Sequence, residues 1–283
     1  MPTAAQLLRK FNDSKTLPHV ALRLSKLLSQ EGSRLQEFDS LIKMDPVLVT
    51  RLLRMVNSPY YGLSETITSI SRAIVFIGMK NLRNLVVLDG LKDLMREDPR
   101  EGVFSRKQLW LHCVAVSIFS QMIAERIFGQ RGEDAFLCGI LHDVGIIVED
   151  QTAPDLFLKT CTALGSGAGA LPLAEKEMIG TDHCEIGALL AKEWKMPEEI
   201  KEGIRRHHTE DDTLVPNTMT GILQLAEFMA GKLGHPEFKG LPAALSASLA
   251  GHVRENLPDY RLLAKEIPAR MAMARDLYEG QGA

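Results

Sequence analysis

The stretch that most limits how this chain can fold is Phe136-Leu-Cys-Gly-Ile-Leu-His142-Asp143-Val-Gly145-Ile146-Ile-Val148, apolar everywhere except at one His-Asp pair. A helical segment without a polar face has to be buried. An ionised carboxylate there needs a partner, because a lone buried charge costs at least several kcal/mol. Gly145 is the residue type that ends a helix in a left-handed cap, so His142 and Asp143 are expected on the last turn of a buried helix. Adjacent helical residues point about 100° apart, and both side chains can still reach one ion lying between them. A structural Asp-His hydrogen bond satisfies the same pattern, and this stretch alone leaves the two readings open.

Four other places repeat the theme. His112 lies on the stripe Leu109, Val116, Phe119, Ile123 of a helix starting near Ser105. Asp182-His183-Cys184-Glu185 has the form of a capping box with Asp in the cap role, and His183 leads into the stripe Ile186, Gly187, Leu190, Trp194. Pro197 can open the next helix as its first residue, and His207 and His208 follow its stripe of Ile200 and Ile204. Glu227 interrupts the apolar run from Ile222 to Met229. Singly, each reads as a hydrogen-bonded core residue or, for Glu227, an acid reaching water. Together, five of the eight histidines sit at inward or helix-end positions beside two acids in apolar surroundings. Neutral imidazole is the commonest metal ligand, and imidazole with carboxylate suits iron, manganese or zinc better than magnesium.

The order His, His-Asp, His, His-His, acid resembles the HD superfamily of metal-dependent phosphohydrolases. The N-terminal third narrows the resemblance to the HD-related output domain (HDOD) family, through Leu17-Pro18, Asp45-Pro46, Arg51-Leu52-Leu53, Asn57-Ser58-Pro59-Tyr60-Tyr61-Gly62 and the Ser-Ile-x-x-Ala-Ile piece that ends at Ile77-Gly78. By position, the resemblance implies His112, His142, Asp143, His183, His207, His208 and Glu227 as ligands of one or two ions of iron, manganese or zinc, with Asp143 bridging. Glu227 stands where the family usually has Asp. Two departures from hydrolytic relatives weigh against turnover. The Lys that usually follows His-Asp-x-Gly is Ile146 here. The Gly-Tyr-Pro signature of the cyclic-dinucleotide phosphodiesterases is replaced by Thr209-Glu-Asp-Asp-Thr-Leu-Val-Pro216, whose three acids would repel an anion near the site. HDOD members are generally regarded as regulatory modules. The function expected is therefore signalling through contacts with other signalling proteins, with a retained metal site and without efficient catalysis. The alternatives are a phosphohydrolase of a nucleotide or cyclic dinucleotide, and an iron-based redox or oxygen sensor.

The rest of the chain bounds these readings. A net charge of −3 argues against a general nucleic-acid binder, which needs a basic stripe. No apolar run is long enough to span a bilayer and no signal-peptide pattern opens the chain, so the protein is expected in the cytoplasm. The four cysteines lack zinc-ribbon spacing. Cys113, Cys138 and Cys184 read as small buried helix residues, with a thiolate joining the metal site the lesser alternative. No useful strand alternation occurs, and the fold expected is all-α, an N-terminal helical lobe packed on an HD-type helical lobe. The boundaries expected are 14–98 and 103–212 for the two lobes, together the HDOD domain at 14–212, with 213–283 a helical extension completing the second lobe. The turn-rich Asp98-Pro99-Arg100-Glu101-Gly102 separates the lobes. Residues 162–170, rich in Gly and Ala, are expected as a surface loop without the Lys or spacing of a phosphate cradle. In the N-terminal lobe, Val49, Leu52, Leu53 and Val56 are expected to be buried. Asn57 and Ser58 can cap the helix that follows them, and Asn57, Ser58, Tyr60 and Tyr61 are the candidates for a partner surface, since Tyr is enriched at interfaces.

Overall fold

A computed structural model describes residues 1–14, 23–24, 27, 35–58, 61–96, 104–165, 169–238 and 244–279. The readings made on Leu17-Pro18, on Pro59 and Tyr60, and on 98–102 lie outside the described residues. Every regular element among the described residues is helical, as the missing strand alternation implied. The chain forms two compact units, one from Thr16–Leu94 and one from Met1–Lys15 together with Met95–Ala283.

In the Thr16–Leu94 unit, α2 (Leu35–Lys43), α3 (Pro46–Val56) and α4 (Ile70–Leu94) pack on one another. Asp45 caps α3 by accepting from Val47 N and Leu48 N, and Pro46 takes the first helical position, where its missing N–H costs nothing. The buried face of α3 is Leu48, Leu52, Met55 and Val56. Val49 and Leu53 are only half-buried: the stripe is rotated by one residue because 48, 52, 55 and 56 keep the i, i+4, i+7, i+8 spacing that includes the large Met55. Asn57 caps the end of α3, not the start of the helix that follows. Its Nδ2 donates to Leu53 O (2.8 Å) and Ile67 O (2.7 Å), and its Oδ1 accepts from Ile67 N (2.7 Å). Ser58 Oγ donates to Met55 O at 2.6 Å. The Asn-Ser pair therefore clamps the loop 57–67 to the helix before it. The break expected near Gly78 is real: this residue has φ 81° and ψ 158° inside α4, a conformation that only glycine adopts without strain.

The second unit holds α1 (Ala4–Ser14), α5 (Arg106–Met122, continued by a π-turn at Ile123–Ile127), α6 (Glu133–Leu141), α7 (Val144–Thr152), α8 (Pro154–Gly165), α9 (Leu171–Met178), α10 (His183–Glu193), α11 (Glu198–Arg206), α12 (Met219–Lys232), α13 (Ala247–Glu255) and α14 (Leu257–Glu279). Helix α5 packs on α6, α12 and α14, while α10 packs on α7 and α11, and α1 docks on α10 and α7. Helices α6 and α7 are buried along almost every residue, as the apolar runs Ala135–Leu141 and Val144–Val148 require. Residues 162–165 are the last turn of α8 and not loop, because Phe157, Cys161 and Leu164 keep the buried helical stripe to its end. Pro197 is the cap before α11 and not its first residue.

A close approach brings His112 to His142. A Cβ on Gly139 would lie 2.6 Å from Ser117 Cα, so only glycine lets α6 lie this tightly against α5.

Candidate metal centre

The seven residues singled out from the sequence come from six helices or their ends. His112 is in the middle of α5, buried. His142 ends α6 and Asp143 precedes the first residue of α7. The chain changes direction between these two helices without a left-handed residue. Gly145 is therefore not the cap it was read as: it lies within α7. What demands glycine there is the backbone of His183, whose carbonyl oxygen would be 2.1 Å from a Cβ at position 145. His183 opens α10 behind Asp182, which accepts from Glu185 N at 2.7 Å. His207 ends α11, and His208 follows with 29% of its side chain exposed. Glu227 projects from α12.

The imidazole orientations follow from what the outer nitrogens touch. His112 Nδ1 is 2.8 Å from His235 O, His142 Nδ1 is 2.7 Å from Gly139 O, His207 Nδ1 is 2.6 Å from Ile204 O, and His183 Nδ1 is 2.7 Å from Glu175 Oε2. Carbonyls and carboxylates only accept, so each Nδ1 carries the proton and donates it outward. In the neutral ring, each Nε2 then presents a lone pair. Those four Nε2 atoms converge. His112 and His142 are 3.2 Å apart and His183 and His207 are 3.1 Å apart at Nε2.

Asp143 sits at the junction of the two pairs. Its Oδ2 is 3.1 Å from His142 Nε2 and 3.4 Å from His112 Nε2, and its Oδ1 is 3.4 Å from His207 Nε2 and 3.7 Å from His183 Nε2. The residue is 0% exposed, yet neither oxygen receives a hydrogen bond. A buried carboxylate ringed by four imidazole nitrogens is costly unless positive charge, a metal ion or a proton on His142, lies among them. Glu227 Oε1 closes one side at 3.3 Å from His142 Nε2 and 3.8 Å from His207 Nε2. Two sets of groups could hold a metal ion: Asp143, His183, His207 and His208 in one, and His142, Asp143, His207 and Glu227 in the other. His112 belongs to neither set but touches both His142 and Asp143.

The electrostatics agree with this need for positive charge. Burial disfavours a charged imidazole at His142, but Asp143 and Glu227 outweigh it and hold its pKa up at about 9. At His112 burial wins and pulls the pKa down to about 4. Burial pushes Glu227 up to about 7, against the pull of His207 and His142. Burial also works against the ionised form of Asp143, yet His142, His207 and His112 hold its carboxyl well below the usual range.

Three neighbouring residues escaped the sequence reading. Glu175 on α9 accepts both Nδ1 and the backbone N of His183 and is fully buried, so it fixes that ring as ligand-orienting carboxylates do. Nothing in the sequence marks it, since it lies on a separate helix. Glu149 on α7 is 0% exposed, and burial together with the charge of Glu175 pushes its carboxyl well above the usual range. Its signal was present: an acid directly after Val144–Val148, five apolar or small residues. Glu237 brings a carboxylate Oε2 to 3.8 Å from His208 Nε2. Cys184, read as a small packing residue with a thiolate ligand as the lesser alternative, places its Sγ 3.4 Å from His183 Nε2 and 4.0 Å from His207 Nε2.

Ile146 is fully buried on α7. Of the three acids expected to repel an anion, Asp211 accepts from Thr213 N (2.9 Å) and pairs with Arg206 (3.2 Å), and Asp212 accepts from Ala247 N (2.8 Å). They build the loop between α11 and α12 and hold the start of α13. Arg205 pairs with Glu202.

Comparison with known proteins places this architecture. The HDOD domain family matches residues 15–210. An HDOD domain protein of unknown function from Geobacter sulfurreducens superposes with a TM-score of 0.75 at 24% identity, covering 96% of each chain. A Shewanella amazonensis SB2B protein provisionally named a phosphohydrolase gives a TM-score of 0.69 at 26% identity, over 98% of this chain and 97% of that one. A Marinobacter aquaeolei VT8 protein provisionally named a signal transduction protein gives 0.74 at 21% identity, over 95% of this chain and 61% of that one. An uncharacterised Treponema pallidum (strain Nichols) protein is 30% identical over 207 residues, 72% of this chain but only 39% of that protein's length. Among the described residues no helix is long and apolar enough to cross a membrane.

Proposed function

We propose, since this chain belongs to the HDOD family, that it is a signal-transduction module acting through protein contacts. In this reading it holds one or two ions of iron, manganese or zinc through His112, His142, Asp143, His183, His207, His208 and Glu227, and is not an efficient hydrolase. The observation that carries the metal is Asp143, a fully buried carboxylate whose two unpartnered oxygens each face a pair of imidazole nitrogens. Ions there would supply Lewis acidity toward a phosphate oxygen. Turnover needs more: a preorganised cation for the remaining phosphate oxygens, a contribution worth about 10²–10³ in rate. Ile146 offers none, and Arg205 and Arg206 are engaged by Glu202 and Asp211. Partners would be other signalling proteins, not nucleic acid or a membrane. Asn57 and Ser58 brace the loop 57–67, which carries the half-buried Tyr61, the described candidate for a contact residue. The second reading, a phosphohydrolase of a nucleotide or cyclic dinucleotide, is favoured by the nearly complete ligand set.

Metal-loaded protein is expected to show no hydrolysis of cyclic dinucleotides or simple phosphodiesters. A metal-dependent turnover on the order of 1 s⁻¹ that disappears in Asp143→Ala would instead establish the phosphohydrolase. With an inactive wild type, activity gained in Ile146→Lys would mark a competent centre lacking one cation.

Metal uptake is expected to release protons, because His142 without a metal keeps its charge up to about pH 9. A bound ion and that proton compete for the same Nε2. Affinity should therefore fall about tenfold for each unit the pH drops below about 9, for one proton displaced. Calorimetry in buffers of different ionisation heats measures the count near pH 7; a value of zero would remove this account of the site's charge.

A further inference from the structure

Cys184 lies inside the cluster, and we infer that its sulfur is an additional ligand, completing with His183, His207 and Asp143 a nitrogen, oxygen and sulfur set for a divalent ion of borderline softness such as zinc or ferrous iron. The inference rests on the metal-binding reading proposed above. Its first support is spacing. A tetrahedral ion with bonds of about 2.0–2.1 Å to nitrogen or oxygen and about 2.3 Å to sulfur holds its ligands about 3.3–3.6 Å apart. The separations here are 3.1 Å between the two Nε2 atoms, 3.4 and 3.7 Å from Asp143 Oδ1 to them, and 3.4 and 4.0 Å from Cys184 Sγ to the same two nitrogens. These five of the six separations in the set lie within about half an ångström of that spacing.

The second support is independent of the thiol. Asp143, fully buried, aims an oxygen that receives no hydrogen bond into the same group of atoms. A thiol could donate its one proton to a single ring nitrogen, but this would leave the carboxylate and the other nitrogen as they are. An ion among all four satisfies every group. The position also suits a sulfur ligand: Cys184 is 4% exposed on the first turn of α10, directly beside His183. Binding would form one metal–sulfur bond, and the thiol proton would pass to solvent.

Cobalt(II) substitution tests this, because a thiolate on cobalt gives an intense near-ultraviolet charge-transfer band that imidazole and carboxylate do not. Full-length protein, metal-stripped and reloaded with cobalt(II) under anaerobic reducing conditions, should show that band together with the weaker visible ligand-field bands. Cys184→Ser should lose the charge-transfer band and keep bound cobalt, and Cys161→Ser, a thiol on α8, should keep both. Ligand-field bands without charge transfer in the wild type would overturn the sulfur ligand and leave the metal site standing. Retention of the band in folded Cys184→Ser would also overturn it. Failure of the wild type to bind cobalt at all would overturn the metal site and this inference with it.

Discussion

Replacing Gly145 with alanine is expected to destabilise the second unit by about 3 kcal/mol or more and to strip it of metal. The added Cβ would sit 2.1 Å from the His183 carbonyl oxygen and 2.7 Å from its Cα and carbonyl carbon. All three are backbone or backbone-attached atoms that cannot swing aside, so α7 and α10 must move apart. In a unit of about 200 residues, such a loss lowers Tm by roughly 6–12 °C. The same separation pulls His183 from Asp143, which is two residues from Gly145. Metal content measured on whatever folds should fall with Tm. Gly251→Ala is the control. It lies within α13 with nothing within 4 Å of the added Cβ, and should be neutral or stabilise by up to about 1 kcal/mol. A Gly145→Ala protein with wild-type Tm and metal content would show that the α7–α10 approach is looser than described.

Position 145 also shows how far the sequence could be read. A glycine after His-Asp suggested a left-handed helix end, and a helix does end there, at His142. The cause is different: the chain bends and restarts at Val144, and the glycine serves a helix crossing that no local pattern announces. Stripe positions fared better because they depend on helical period alone. His112, His183 and His207 all face inward as their apolar neighbours required, and Pro46, Gly78 and Ser105 mark helix starts or breaks through their own backbone chemistry. The orienting groups were illegible for the opposite reason. Glu175 reaches His183 from a preceding helix, and the carbonyl that orients His112 belongs to His235, 123 residues away. A main-chain oxygen leaves no mark in a sequence. For the acids at 210–212 the charge was legible and the local partners were not. Asp211 turns toward Thr213 and Arg206, and Asp212 toward α13.

Asp143→Ala is expected to abolish most metal binding, because this one side chain faces both pairs of imidazoles. Losing either oxygen alone would leave three or four ligands around one ion, whereas losing both removes the only carboxylate common to the two ligand sets. Wild-type protein prepared without a His tag or chelator should carry roughly one to two ions per chain, as two-metal centres do. The variant should retain little of that by elemental analysis. His235→Ala should keep all of it, because His112 uses the carbonyl of residue 235 and not its side chain. Stability gives a second readout. An ion held at one hundred times its Kd stabilises the folded state by about 2.7 kcal/mol, or about 5–11 °C in Tm for a unit of this size. A chelator should take that margin from the wild type and change nothing in Asp143→Ala, which has no ion to lose. If both proteins instead lacked metal after reconstitution and both ignored the chelator, the four imidazoles would be core hydrogen-bonders. Asp143 would then depend on the proton that His142 holds up to about pH 9, and the wild type alone should lose stability as the pH rises through that value.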